Sequence, residues 1–372
     1  MASYAECLSV LPAFRNDLMQ RQQLEPLGGR TPFVARGAFA AFASPLSNVH
    51  ATGVGIRQRG GRYFPDEYVL KVFVFDKVEP EALGEEPMRE YQGIPVDVEQ
   101  LPVQLVRARA RRSQTVVAAG APLAPLAPAA TLPGQRARHR PITAGLSISP
   151  LDAQFVGTLG CFLRRRRADE EDTFALSNNH VLADINQLPR GTQIVQPGPE
   201  QPPFTTPVSD VFAALSGFIE LRFPTNPDAP AVNRFDAAIA RVTDLRLIKP
   251  GTMYGGVLYR PDRVVPPVPG MRVVKAGRTT GVTHGVVTAT EVDGVQVNYG
   301  SRQFPRIATF DGTVEVVSVA SARPFSLPGD SGSVILEEAT GHPLALLFAG
   351  DGVHTTACDL GPLCRRLRAW PI

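Results

Sequence analysis

Hydrophobic positions change their period along the chain. Near the start, Leu8, Leu11, Phe14 and Leu18 recur at three- and four-residue steps. That spacing predicts an amphipathic helix within residues 1–22, with Pro12 tolerated near its start. From Val54 to about Arg109 the pattern turns β-rich. Residues 68–75, Tyr-Val-Leu-Lys-Val-Phe-Val-Phe, form a β-branched and aromatic run of strand length. Residues 93–98, Gly-Ile-Pro-Val-Asp-Val, read as a second strand entered through a turn. Residues 1–112 are therefore expected to form a small α+β domain. Ala and Pro dominate residues 113–140, which have little that can pack and read as a semi-extended linker. Its end, Arg136, Arg138, His139 and Arg140, is expected to be open to proteases.

Beyond Pro141, short strands recur with turn signals between them. The first set is 155–163, 174–177, 193–196, 219–223 and 237–242. The second is 272–275, 285–292, 295–299, 313–319, 333–337 and 344–348. Asp293-Gly294, flanked by alternating Thr288, Thr290, Val292 and Val295, Val297, signals a hairpin. Two groups of about six strands without intervening helices predict a mainly β fold, a double six-stranded β-barrel over residues 141–372. Residues 360–369 read as a short terminal helix. Arg164 to Arg167 followed by Asp169 to Asp172 reads as a self-neutralising hairpin loop.

Composition narrows the function classes. The 372 residues carry 38 basic and 35 acidic side chains, a net charge of +3. That balance argues against nucleic acid or an anionic membrane surface as partner. No apolar run approaches the roughly 20 residues of a membrane span. Glu6 precedes a short apolar run with no basic stretch before it, which is not a secretory signal, so a cytoplasmic location is expected. Cys7, Cys161, Cys358 and Cys364 are too scattered for a disulfide framework, although Cys358 and Cys364 are near enough to pair. No Cys/His cluster has metal spacing, and no metal or cofactor is expected.

Three segments carry chemistry. Gly329-Asp330-Ser331-Gly332-Ser333 places a serine between glycines. Such a turn aims backbone N–H groups at a developing oxyanion, here those of Gly329 and Ser331. Leu176-Ser177-Asn178-Asn179-His180 ends a strand in a histidine, the base that a weakly nucleophilic hydroxyl requires. Asn233-Arg234-Phe235-Asp236-Ala237-Ala238 opens an apolar strand with an aspartate, costly to bury unless partnered, for instance by the imidazole. The order His180, Asp236, Ser331 is that of chymotrypsin, not of subtilisin or the α/β-hydrolases.

On these motifs residues 141–372 resemble a trypsin-like serine peptidase. Lys275-Ala276-Gly277-Arg278-Thr279-Thr280-Gly281 and Gly285-Val286-Val287-Thr288-Ala289 are similar to the bacterial branch of alpha-lytic protease and the streptogrisins. The resemblance implies a chymotrypsin fold, a triad of His180, Asp236 and Ser331, and an ion pair between Arg278 and Asp330. It implies a substrate-pairing strand at Phe348, Ala349 and Gly350. It also implies a specificity pocket lined by the loop from Phe325 to Pro328, by Ala349 and Gly350, and by 351–355, where Asp351 and His354 are either readers of a charged side chain or plain surface residues. Relatives often place a serine hydroxyl near the aspartate where Phe348 stands, so Asp236 is expected to lack one hydrogen bond. Val181 after the histidine leaves Cys161 without the disulfide partner of secreted relatives. The whole chain, through Gly53-Val54-Gly55 and residues 93–98, is also similar to bacterial peptidases that resemble the plant regulator Narrow leaf. The implied partner is a protein or peptide substrate. The competing readings are a latent or non-catalytic binding module, gated by the first domain or by an activating partner protein, and an esterase.

Overall fold

Six strands close on themselves in the C-terminal part of the chain. Gly281–Asp293 pairs with Thr313–Ser318, then come His354–Asp359, Pro343–Gly350, Val334–Glu337 and Arg272–Gly277, which returns to Gly281–Asp293. All six junctions are antiparallel, and Val273, Val287, Val314, Val316, Ile335, Leu344 and Leu347 fill the interior. The computed structural model describes residues 1–24, 48–77, 88–106, 134–167, 170–200, 206–225, 231–301, 303–320 and 323–372.

The preceding region is a curled half-barrel. Its strands run in the order Trp370–Pro371, Cys161–Arg167, Glu170–Ser177, Ala238–Val242, Val211–Phe218, Gln193–Val195, Ser147–Pro150, Gly157–Thr158. Ile148, Phe162, Ala175, Ile194, Phe212 and Leu215 lie inside. The fold is therefore a mainly β, chymotrypsin-like double barrel, its first half curled and its second closed. The final strand crosses back from the closed barrel, after helix Leu360–Leu367, and straps the first half through Trp370↔Arg164.

Two strand expectations fail for local reasons. Residues 219–223 are not a strand, and Val211–Phe218 takes that place. Leu221 N–H is captured by the Asn186 side chain (3.0 Å), and Ile219 N–H by Ala237 O (2.9 Å), so the chain leaves the ladder there. Asp293-Gly294 does not make a hairpin either. Gly281–Asp293 and Val295–Asn298 form no ladder with one another, and the latter pairs with Ile307–Phe310 instead. Gly294 (φ 92°) is a corner, its N–H donating to Asp311 Oδ1 (2.8 Å), and a Cβ there would lie 2.1 Å from His50 O. On either side of residues 168 and 169, strands Cys161–Arg167 and Glu170–Ser177 pair antiparallel and oppose Arg165 to Asp172. Asp172 pairs instead with Arg241 (2.7 Å), and Arg165 lies over the Phe174 ring (4.9 Å).

The N-terminal helix, Tyr4–Leu24, opens with a reciprocal cap: Ser3 N–H donates to the Glu6 carboxylate (2.7 Å), and Glu6 N–H donates to Ser3 Oγ (3.2 Å). Cys7, Leu11, Phe14 and Leu18 bury one face against Val54, Leu70, Val72, Ile94 and Val96. Strands Val49–Arg59 and Arg62–Val74 turn at Gly60 and Gly61, both left-handed (φ 55° and 75°), and Ile94–Gln100 adds in parallel. This α+β unit shares a sheet with the closed barrel. Val49–Arg59 pairs with Gly281–Asp293, and at Gly55 a Cβ would stand 2.5 Å from Thr288 O, so only glycine admits the approach. Ala51, Phe73, Leu101 and Val106 enter the core that both barrels share.

Most of the expected linker lies outside the described residues. Its basic end is pinned, not open. Arg136 Nε donates to Arg278 O (3.0 Å), Arg138 to Asp210 (2.6 Å) and Arg140 to Gln196 Oε1 (2.7 Å). All four cysteines are buried free thiols. No described helix is long and apolar enough to cross a membrane.

Candidate active site

His180 and Asp236 meet because their strands are neighbours. Ser177 is opposite Ala238 in the antiparallel ladder, so the residues just past one end and just before the other converge. His180 lies on the one-turn helix Asn179–Leu182, and its Nδ1 is 2.5 Å from Asp236 Oδ2. Its backbone N–H also donates to Asp236 Oδ1 (3.3 Å). The two preceding asparagines hold the turn: Asn178 Nδ2 donates to Asp236 O and Asn179 Nδ2 to Ile219 O (2.7 Å each). The contact puts the proton of this imidazole on Nδ1 and leaves Nε2 as the basic nitrogen.

Asp236 is fully buried and does not lack its further hydrogen bond. Tyr299 hydroxyl donates to Asp236 Oδ2 (2.7 Å), and its ring stands edge-on to His180 at 6.0 Å. The sequence reading missed this residue. Phe348 turns its ring onto Phe310 (4.7 Å), and the Tyr299 ring also stacks on Phe310 (6.2 Å). An aromatic at 348 together with a tyrosine just past the much earlier strand Val295–Asn298 is the signal that the sequence offers.

Ser331 is presented by the loop between Phe325 and strand Val334–Glu337. Gly329 (φ 101°) and Gly332 (φ 94°) take conformations that other residues rarely adopt. A Cβ on Gly332 would lie 2.1 Å from Ser177 Oγ, so the loop packs directly on the strand that carries His180. Thr158 clamps it from the first barrel: its N–H donates to Ser331 O (2.8 Å) and its hydroxyl to Gly329 O (2.9 Å). At Gly157 a Cβ would meet the Val181 side chain at 2.5 Å and Ser331 O at 3.1 Å, so the segment that follows His180 and the serine loop close in on one glycine. Ser331 Oγ itself donates to Phe348 O at 3.4 Å.

Backbone donors in the loop divide into two sets. Asp330 N–H is taken by Leu327 O, Gly332 N–H by Leu347 O and Ser333 N–H by Asp330 O. The N–H groups of Gly329 and Ser331 have no acceptor among the described residues. Two such donors beside a serine hydroxyl are the kind of arrangement that can receive a negatively charged oxygen.

Asp330 anchors this shape, but not through Arg278. Its carboxylate accepts from the N–H groups of Thr279 (2.8 Å), Thr280 (3.1 Å) and Leu327 (2.9 Å) and from Thr280 Oγ1 (2.8 Å). The cation is Lys275, whose Nζ is 3.5 Å from Oδ2 with both side chains wholly buried. Burial pushes the Lys275 ammonium down to about 8 against the opposing pull of Asp330. Arg278 instead pairs with Glu200 and donates to Ser147 Oγ (2.9 Å). Lys275 points into the barrel from strand Arg272–Gly277, while Arg278 follows its end and reaches Glu200 of the first half.

The expected pocket residues divide as well. Phe325 is wholly buried in the barrel interior, and Ser326 Oγ and Thr355 Oγ1 face each other at 2.7 Å beside Gly350. Ala349 is buried at the end of its strand. Asp351 and His354 are turned to one another (3.0 Å) and to the N-terminal segment, so their charges are already engaged. Asp351 accepts from Gln104 (3.2 Å) and His354 faces Glu99 (3.8 Å). Burial alone would lower the His354 pKa, but Asp351, Glu99 and Glu315 hold it up at about 10. Glu99, Glu315 and His354 present metal-type ligand atoms within 4.8 Å of one another. Lys71 Nζ (2.6 Å) and the Tyr63 hydroxyl already occupy Glu99, so the cluster is a buried ion-pair network.

No family model and no curated protein sequence matches the chain. Solved structures with similar shape include Thermobifida fusca protease A, with 17% identity and a TM-score of 0.42 over 62% of this chain and 98% of that one. A chymotrypsin of Cellulomonas bogoriensis (16%, TM-score 0.39) covers 62% of this chain and 97% of its own length. A Nocardiopsis protease (17%, TM-score 0.39) covers 62% and 98%. The barrel assignment rests on the strand pairing above, not on these remote likenesses.

Proposed function

We propose that the protein is a serine endopeptidase acting on protein or peptide substrates. The observation that carries the reading is the pairing of His180 Nδ1 with buried Asp236 beside a serine loop whose Gly329 and Ser331 N–H groups meet no acceptor among the described residues. In this reading Ser331 Oγ attacks the scissile carbonyl carbon as its proton passes to His180 Nε2. The carbonyl oxygen becomes an oxyanion that accepts from Gly329 and Ser331 N–H. Asp236 stabilises the imidazolium, which then protonates the amine as the C–N bond breaks. His180 next activates a water that hydrolyses the acyl-enzyme. Lys275 and Asp330 position the loop and touch no reacting atom. The four buried thiols fit the cytoplasmic setting that the sequence suggests.

The test is labelling with a fluorophosphonate and hydrolysis of single-residue nitroanilides, which are too short to need a sheet edge. The expected result is stoichiometric labelling on Ser331 and, in Ser331→Ala, no labelling and loss of turnover by on the order of 10⁶-fold. Unchanged labelling and turnover in that variant would remove the assignment.

A further inference from the structure

The edge of strand Pro343–Gly350 nearest Ser331 is already in use. On one side the strand pairs along its length with His354–Asp359, as far as Gly350↔Thr355. On the other, its ladder with Val334–Glu337 stops at Leu346, and the serine loop takes the polar groups of Leu347 (Gly332 N–H to Leu347 O and Leu347 N–H to Ser333 O, 2.9 Å each). Beyond that point this edge is open to another chain. Phe348 O receives the Ser331 hydroxyl, and Gly350 pairs antiparallel with Leu105 of the N-terminal segment.

Leu105 belongs to a two-residue strand, Gln104–Leu105, held on its far side in parallel with Val295–Asn298. Gln104 is wholly buried and donates to Asp351 Oδ2 (3.2 Å), and Val106 is 3% exposed. The antiparallel register sets the direction: from 104 to 106 the chain advances from Gly350 toward Phe348, and so toward the nucleophile.

An extended peptide is bound by adding a strand to a free sheet edge, with main-chain hydrogen bonds giving the affinity. The acyl side of a peptide delivered to Ser331 has this edge to add to, and residues 104–106 fill it. Resting on the peptidase reading above, we infer that residues 104–106 are an intramolecular substrate-like strand that excludes peptides from the acyl side of the site until it is displaced. A two-residue strand is short enough to detach without unfolding the sheets on either side, whereas Gln104 and the buried Val106 keep it bound at rest. The site is thus open to small acylating molecules and closed to extended peptides.

Two probes separate these cases on the full-length protein: diisopropyl fluorophosphate, which needs no sheet edge, and a tripeptidyl phosphonate, which does. The wild type is expected to react readily with the first and slowly with the second. Leu105→Pro, which deletes a ladder donor, and Gln104→Ala, which removes the hold on Asp351, should each raise the peptidyl rate about tenfold. Their diisopropyl rate should stay at the wild-type value, which also reports that they fold. Amide exchange at 104–106 should speed up in the peptidyl adduct alone. An equal ratio of the two rates in wild type and variants, or protected 104–106 amides in the peptidyl adduct, would overturn the inference and leave the peptidase reading standing. Failure of the small probe to react would overturn both.

Discussion

At the residue scale, the least expected participant is Tyr299. Its hydroxyl and the imidazole share one oxygen of Asp236, at 2.7 and 2.5 Å. A donor on that oxygen draws charge away from the face turned to Nδ1. Tyr299→Phe removes that donor and one of the groups that fix the carboxylate against the imidazole. The rate of fluorophosphonate labelling and of turnover is expected to fall about tenfold, the worth of one hydrogen bond to a charge. Wild-type rates in the variant would show that the phenol only fills space. Lys275 and Arg278 make a second contrast. Lys275→Met strands the buried carboxylate of Asp330, which costs about 3–5 kcal/mol and should abolish fluorophosphonate labelling through collapse of the loop. Arg278→Ala, whose partner Glu200 retains some solvent contact, should keep labelling within a few-fold of wild type. Equal losses in the two variants would restore Arg278 as the cation of the loop.

At the scale of elements, sequence served where the local signal and the tertiary demand coincide. The second strand set, the helix face of Leu11, Phe14 and Leu18, and the glycines around Ser331 were legible because periodicity and backbone sterics act over a few residues. Gly294 was misread because Asp-Gly satisfies a corner as well as a hairpin, and only contact with His50 and Asp311 decides between them. Arg278 was misread because resemblance carried a residue type without the direction of its side chain. The clamp of Thr158 and the network of Lys71, Glu99, Glu315 and His354 join residues far apart in the chain, and neither leaves a local pattern. That network has a pH consequence. His354 is raised from 6.5 to about 10 in the folded state, so its contribution is complete below pH 6.5 and is lost as pH rises through 10. Glu99, on the element opposite, is held down at about 2, chiefly by His354 and Lys71 against its burial, so its contribution fades only in acid. Glu315 runs the other way, its pKa raised by burial to about 7. The thermal midpoint should therefore decline between about pH 7 and 8, before the depressed Lys275 begins to oppose it, and His354→Ala should flatten that decline. An unchanged slope in the variant would place the titration elsewhere.

The whole molecule is less divisible than its composition suggests. A linker between residues 113 and 140 reads as a boundary between two domains, yet Val49–Arg59 continues the sheet of the closed barrel and Gln104–Leu105 reaches the edge beside the nucleophile. Barrel residue Glu315 is buried and His354 half-buried where Tyr63, Lys71 and Glu99 cover that face. Taking the cover away would leave paired charges without partners and apolar residues of the shared core, such as Phe73 and Val106, without their contribution. A sheet shared in this way couples its two parts into one cooperative unit. The full-length chain should therefore melt in a single calorimetric transition, with equal calorimetric and van't Hoff enthalpies. A chain beginning at Gly134 should be strongly destabilised and prone to aggregate, with no gain in peptide turnover from its missing inhibitory strand. Two separable transitions, with a stable and active shortened chain, would instead make the N-terminal part a docked domain. The strand at 104–106 would then be a removable plug, not an integral part of the peptidase.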